Sequence, residues 1–157
     1  MILNHAIQIF VSGDGNGMIL NHAIQIFVSG VTPVASDLIP TGVVAPVART
    51  PFDFHIPAMP GAHIVEVEGG YDINYVLDGA ADGKGVQKVA MVNKADSGWV
   101  MELWANQPGL QFCTGNFLKG DEGKGGTVYA KHGGLCLEMQ VYPDAVHKLG
   151  FHAKERR

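Results

Sequence analysis

Apolar and polar residues alternate along several short runs of this chain, and Gly, Pro and Asn separate the runs. In residues 135–142, Leu135, Leu137, Met139 and Val141 fall on one side, with Cys136, Glu138, Gln140 and Tyr142 on the other. Successive side chains of a strand point to opposite faces, so this period of two predicts a strand with one oily face. Residues 99–105 repeat the pattern, setting Trp99, Met101, Leu103 and Ala105 against Val100, Glu102 and Trp104. Alternation also predicts a strand over 63–68, and the β-branched run 86–92 predicts another. Glycine fills 21 positions and proline eight, punctuating the runs as turns do in a many-stranded protein. Little room is left for helix.

Residues 1–13 read MILNHAIQIFVSG, and residues 18–30 repeat them letter for letter after the spacer 14–17. Repeat folds are built from several diverged units at periods of roughly 20–50 residues. Two perfect copies are read instead as a recent duplication or a gene-model error. One strand sequence cannot fill the same place in a sheet twice. Residues 1–17 are therefore expected to form an extra edge strand or a tail, ahead of a domain over 18–146. A loose copy of the uncharged run 7–11 would be an aggregation hazard. Alternation stops after Val146, and residues 147–157 carry Lys148, Lys154, Arg156 and Arg157 against Glu155. That divergent basic stretch reads as a solvated tail rather than a handle for an acidic partner.

The chain has 157 residues, 46% of them hydrophobic, which describes one globular domain. Eleven Lys and Arg against fifteen Asp and Glu leave a net charge of -4, so no cation excess is available to neutralise nucleic acid. Apolar stretches break well before the roughly 18–20 residues that cross a bilayer, so no membrane association is expected. Residues 1–13 lack the basic start and cleavage site of a secretory leader, and a cytoplasmic location is expected. Cys113 and Cys136 are too few for a disulfide framework or a four-thiolate zinc site and are expected as buried free thiols. The seven histidines include no pair at the spacing of a zinc protease, so no metal is predicted. Glycine-rich stretches 79–85 and 115–127 lack the order of a phosphate loop. No nucleophile elbow surrounds Ser12, Ser29, Ser36 or Ser97, which sit in turn-like surroundings.

Three stretches join polar groups to strand and turn context: GGYDINYVLD (69–78), NQPGLQFCTGN (106–116) and KHGGLCLEMQVYPDA (131–145). With LIPTGVVAPVARTPFDF (38–54) before them, their wording and order resemble the galactose mutarotase (aldose 1-epimerase) family, plant-type members nearest, over about residues 19–146. The resemblance implies an all-β fold, an antiparallel β-sandwich of the galactose mutarotase-like (supersandwich) type, here truncated, with a sugar cleft on the concave face. It also implies interconversion of the α and β anomers of a free aldohexose such as galactose or glucose, without a cofactor. A base takes the C1 hydroxyl proton while an acid protonates the ring oxygen, and the pair then closes the ring on the other face.

Carried over motif by motif, the resemblance makes Glu138, in Leu-Glu-x-Gln, the general base. The alternation agrees, because it turns Glu138 away from the apolar face; the plain alternative is a solvent-facing glutamate. Asp72, in Gly-Gly-Tyr-Asp, resembles the family residue that bonds sugar hydroxyls, against the alternative of a turn aspartate. Gln111, in Pro-Gly-Leu-Gln-Phe, matches a sugar-touching glutamine, and an amide offers a polyol both donors and acceptors. Its alternative is a strand amide satisfied by neighbours. The family's acid, a histidine in a His-Thr-Tyr-like motif, is not in this sequence, nor are a second sugar-binding histidine and an arginine from earlier in the domain. His5 and His22, in Ile-Leu-Asn-His, match a structural or exposed family position and are not taken as the acid. After Pro143-Asp144-Ala145-Val146 the family's Asn-His-Pro-like continuation is replaced by HKLGFHAKERR. Weak or absent mutarotation is expected, the alternative being a non-catalytic sugar-binding or edge-pairing fragment that self-associates through open sheet edges.

Overall fold

The computed structural model describes residues 8–12, 18–78 and 85–151. In chain order its strands are β1 (Gln8–Ser12), β2 (Ala23–Ile26), β3 (Val28–Thr32), β4 (Asp72–Leu77), β5 (Gln87–Lys94), β6 (Trp99–Ala105), β7 (Gly109–Cys113), β8 (Asp121–Glu122), β9 (Val128–Tyr129) and β10 (Gly134–Gln140). A five-stranded sheet runs β1-β10-β7-β4-β3, a three-stranded sheet runs β2-β5-β6, and β8-β9 form a small ribbon. The pairings are antiparallel.

The two larger sheets meet through the apolar faces that the alternation sets aside. Leu135, Leu137 and Met139 of β10, Leu110 and Phe112 of β7, and Ile73, Tyr75 and Leu77 of β4 join Ile24, Ile26, Ala90, Val92, Leu103 and Ala105 of the smaller sheet in one core. Phe54, from the long connection between β3 and β4, enters this core. Its ring stands edge-on to Phe112 (centroids 5.7 Å apart) and Tyr71 (5.5 Å). Edge-to-face packing suits aromatic quadrupoles and fixes the loop to the sheet. Outside, Val100 and Trp104 of β6 are exposed at 57% and 52%, on either side of Glu102, which pairs with Lys88 of β5 at 2.9 Å.

The duplicated sequence takes two different structures. In the first copy, QIFVS is the unbroken edge strand β1, running from Gln8 opposite Glu138 to Ser12 opposite Gly134. In the second copy the same letters divide: Gln25 and Ile26 end β2 in the smaller sheet, while Val28 begins β3 at the far edge of the larger one. Between them the Phe27 N–H donates to the Val89 carbonyl (3.0 Å), and its own carbonyl accepts from Asp78 (3.1 Å). Strand propensity is the same in both copies, so the surrounding strands decide the outcome. Residues 1–7 and 13–17 lie outside the described residues.

Three expectations are corrected. Residues 63–68 are not a strand: a short helix, α1 (Pro60–His63), leads into a 3-10 turn at Ile64–Glu66. Pro60 presets the first turn, and no neighbouring strand pairs with the segment. Ile64 and Val67, three apart, pack on the core while Val65 is 90% exposed, the spacing of one helical face. The strand at 135–142 stops at Gln140, and Tyr142 turns inward beside Val76, Ala145 and Phe151. Phe151, inside the segment expected as a solvated tail, is fully buried with its ring 5.3 Å from Tyr142. Residues 152–157 lie outside the described residues. Among the described residues, no helix is long and apolar enough to cross a membrane.

Candidate functional site

The face of the larger sheet turned away from the core carries a row of polar side chains. Antiparallel register sets Glu138 of β10 opposite Gln111 of β7, Gln111 opposite Asn74 of β4, and Asn74 opposite Thr32 of β3. One residue pair along, Cys136, Cys113 and Asp72 form the next row on the same face. Period-two geometry places them together, because the intervening Leu137, Phe112 and Ile73 all point to the core.

From Gln111 to Thr32 the row is hydrogen-bonded by way of Gln140. Gln111 Nε2 donates to Asp72 Oδ1 at 2.7 Å. A carboxylate only accepts, so this bond fixes the orientation of the Gln111 amide and presents its oxygen to Gln140. Gln140 Nε2 donates to that oxygen and to Asn74 Oδ1, both at 3.1 Å, and Asn74 Nδ2 passes the chain on to Thr32 Oγ1 at 3.2 Å. Asn74 is only 3% exposed, and these bonds are what make its burial tolerable. Gly109 makes the arrangement possible: a Cβ there would stand 2.6 Å from Asn74 Oδ1 and 3.0 Å from the Gln140 carbonyl oxygen.

Above this floor lies a cleft of about 560 Å³, with Asp72, Asn74, Gln111 and Gln140 beneath, Val34, Leu38 and Pro40 on one side, and Phe117 and Lys131 on another. Asp72 and Gln111 therefore line it together. Glu138 is not among the lining residues; it stands half-buried beside Gln111 and accepts the Cys136 S–H at 3.2 Å. Burial, then the hydrogen bond and charge of Glu138, push the Cys136 thiol up to about 12, and burial raises Cys113 as well. Both thiols are free, and both are half-buried on the site face rather than buried in the core. His22 is 7% exposed and is not among the cleft residues; His5 lies outside the described residues.

The rim is held by a second network. The Tyr71 N–H donates to Thr114 Oγ1 (3.1 Å), which donates in turn to Asn116 Oδ1 (2.7 Å), while Asn116 Nδ2 returns to the Tyr71 carbonyl (2.9 Å). His132 Nδ1 lies 3.1 Å from the Thr114 carbonyl, an acceptor only, so Nδ1 carries the hydrogen of this bond. Gly70 sits against this knot at φ +92, where a Cβ would overlap the Asn116 amide and the His132 ring. Gly70→Ala is accordingly expected to cost roughly 1–3 kcal/mol, from positive φ and steric overlap together, read as a lowered denaturant midpoint at unchanged slope.

Phe117, Asn74, Gln140, Gly109 and His132 escape the sequence reading. The alternation in Asp72-Ile73-Asn74-Tyr75 and in Glu138-Met139-Gln140 would place Asn74 and Gln140 on the site face once Asp72 and Glu138 were chosen. Phe117 offers no such signal; only its 74% exposure at the cleft marks it. Among the described residues, no three or more His, Cys, Asp or Glu side chains gather as a metal site.

A family model described as aldose 1-epimerase matches residues 4–155. Human galactose mutarotase is 48% identical over 121 residues, which are 76% of this chain and 34% of that protein. The aldose 1-epimerase of Escherichia coli K12 is 34% identical over 118 residues, 72% of this chain and again 34% of the relative. The crystal structure of an aldose epimerase homologue from C. elegans superimposes with a TM-score of 0.75 at 19% identity, over 89% of this chain and 42% of that one. Galactose 1-epimerase from Lactobacillus acidophilus follows at 0.63 and 21% identity, over 78% and 36%. Both share the fold expected here, the mutarotase-like sandwich of antiparallel sheets. The chain thus spans about a third of the length of the relatives it matches, and within that third it belongs to the aldose 1-epimerase family.

Proposed function

We propose that this chain supplies the sugar-binding floor and the base of an aldose 1-epimerase site, taking a free aldohexose such as galactose or glucose into the cleft. The observation that carries the reading is the Asp72–Gln111–Gln140–Asn74 network, an ordered set of donors and acceptors spread over one face beneath an open cleft. A polyol needs several such partners at fixed spacing. Asp72 and Gln111 bond sugar hydroxyls, Phe117 offers an aromatic face to the C–H side of the ring, and Glu138 takes the C1 hydroxyl proton. The Cys136 thiol is a weak donor to Glu138, readily exchanged for a hydroxyl. No histidine acid of the family motif is present to protonate the ring oxygen. A general acid contributes about 10²–10⁴ in rate, so catalysis by this chain stays close to the uncatalysed rate.

The test pairs binding with catalysis. In a galactose titration, the backbone amides of Asp72, Asn74 and Gln111 are expected to shift saturably, and Asp72→Ala to weaken those shifts. In polarimetry of freshly dissolved α-galactose, the chain is expected to sit at or slightly above a protein-free blank, with any excess lost in Glu138→Gln. Absence of shifts with both galactose and glucose would remove the reading. A second reading, a fragment that associates with copies of itself, draws on the exposed Val100 and Trp104 of edge strand β6. Sugar-independent, concentration-dependent sedimentation would favour it.

A further inference from the structure

Cys113 and Cys136 are register partners on adjacent antiparallel strands, with their side chains on the same open face. Directly opposed residues have Cβ atoms about 4.5–5.5 Å apart, whereas a disulfide needs about 3.5–4.5 Å. A small approach of β7 and β10 closes that gap, and a bridge made this way is strained. Strained and accessible disulfides are the readily reduced ones, suited to reversible change rather than to holding a fold. The fold indeed does not need the bond: the two strands are already joined by the ladder from Cys136 opposite Cys113 to Gln140 opposite Gly109.

We propose that Cys113 and Cys136 are a reversible thiol–disulfide pair at the margin of the cleft, closed by a low-molecular-weight disulfide such as oxidised glutathione. Burial raises both thiols, so the reaction draws on the small thiolate fraction that mildly alkaline pH supplies: one cysteine gives up its proton and attacks the glutathione disulfide, forming a mixed disulfide and releasing one glutathione thiolate. The second cysteine attacks the protein sulfur of that adduct, forms the Cys113–Cys136 bond and expels the second glutathione. Two protons leave the protein thiols, and the two electrons reside in the two glutathione thiols. Closure also removes the S–H that Cys136 donates to Glu138. The effect on sugar binding rests on the function proposed above; formation of the bond does not.

The experiment incubates the full chain with oxidised glutathione at mildly alkaline pH, alkylates the remaining thiols, and maps a non-reduced digest by mass spectrometry. The expected product is a crosslink within one chain between the Cys113 and Cys136 peptides, the mass of two hydrogens lighter and reopened by dithiothreitol. Cys113→Ser and Cys136→Ser should each leave the other cysteine as a glutathione adduct or a free thiol. Full alkylation of both cysteines, persistent glutathione adducts on both, or a bridge found only between two chains would overturn the proposal. Galactose titrations of the reduced and oxidised forms then separate the two ideas. Absence of amide shifts in the reduced form counts against the sugar site alone. A crosslinked form that binds as the reduced one does limits the pair to a redox change without effect on the sugar.

Discussion

Phe112→Ala is expected to destabilise the domain by about 3–5 kcal/mol, the usual range for emptying a buried phenylalanine site. Phe112 is fully buried on β7, with its ring 5.3 Å from Tyr71 and 5.7 Å from Phe54. β7 lies between β10 and β4, at the middle of the larger sheet. Removing the ring therefore leaves a void that two strands and the 54-bearing loop can fill only by moving together, and close-packed aromatics do not collapse cheaply. Small domains hold only about 5–15 kcal/mol in all, so the denaturant midpoint should fall by a large fraction. The matched control is Phe117→Ala, at a ring 74% exposed, which should stay within about 0.5 kcal/mol. Chemical denaturation followed by near-ultraviolet circular dichroism reads both. A loss below about 1 kcal/mol at Phe112 would mean that the two sheets do not pack through this ring.

The same strand shows what could be read from one sequence. Alternation puts Leu110 and Phe112 on one side and Gln111 on the other, and the structure follows it through β6, β7 and β10. A period of two is local and needs no partner. It misleads at 63–68, where Ile64 and Val67 also satisfy a helical spacing and Pro60 begins a turn. It ends too late at Tyr142, whose burial depends on Phe151 arriving from further along the chain. The duplicated QIFVS marks the limit most sharply, since identical letters lie along β10 in one copy and are shared between two sheets in the other. Asp72, Gln111 and Glu138 emerge from motif resemblance, yet what joins them is register. The Gln111–Asp72 bond spans 39 residues and the Gln140–Gln111 bond spans 29. Such pairing is set by strands closing on one another, which a single sequence does not display.

Gly109→Ala tests whether that register makes the site. Its Cβ would meet Asn74 Oδ1 at 2.6 Å, the Gln140 carbonyl oxygen at 3.0 Å and Tyr142 Cδ1 at 3.1 Å. The amide of Asn74 is the softest of the three and must leave, which strips Gln140 of one acceptor and strands a buried polar group. Leaving such a group unpaired costs about 1–3 kcal/mol, and that loss of stability is the expected result. In the function proposed above, Gln140 is then anchored on the Gln111 oxygen alone, so the two amides can turn together, and galactose-induced shifts at Asp72 and Gln111 should need about tenfold more sugar, the equivalent of 1.4 kcal/mol. A double-mutant cycle isolates the cause. With Asn74→Ala already in place, most of the overlap is gone, so Gly109→Ala should cost at least about 1 kcal/mol less than it does alone. Strict additivity would instead assign the glycine to the Tyr142 contact and the strand backbone. The vacancy at 109 would then serve the fold, and the polar row would stand without it.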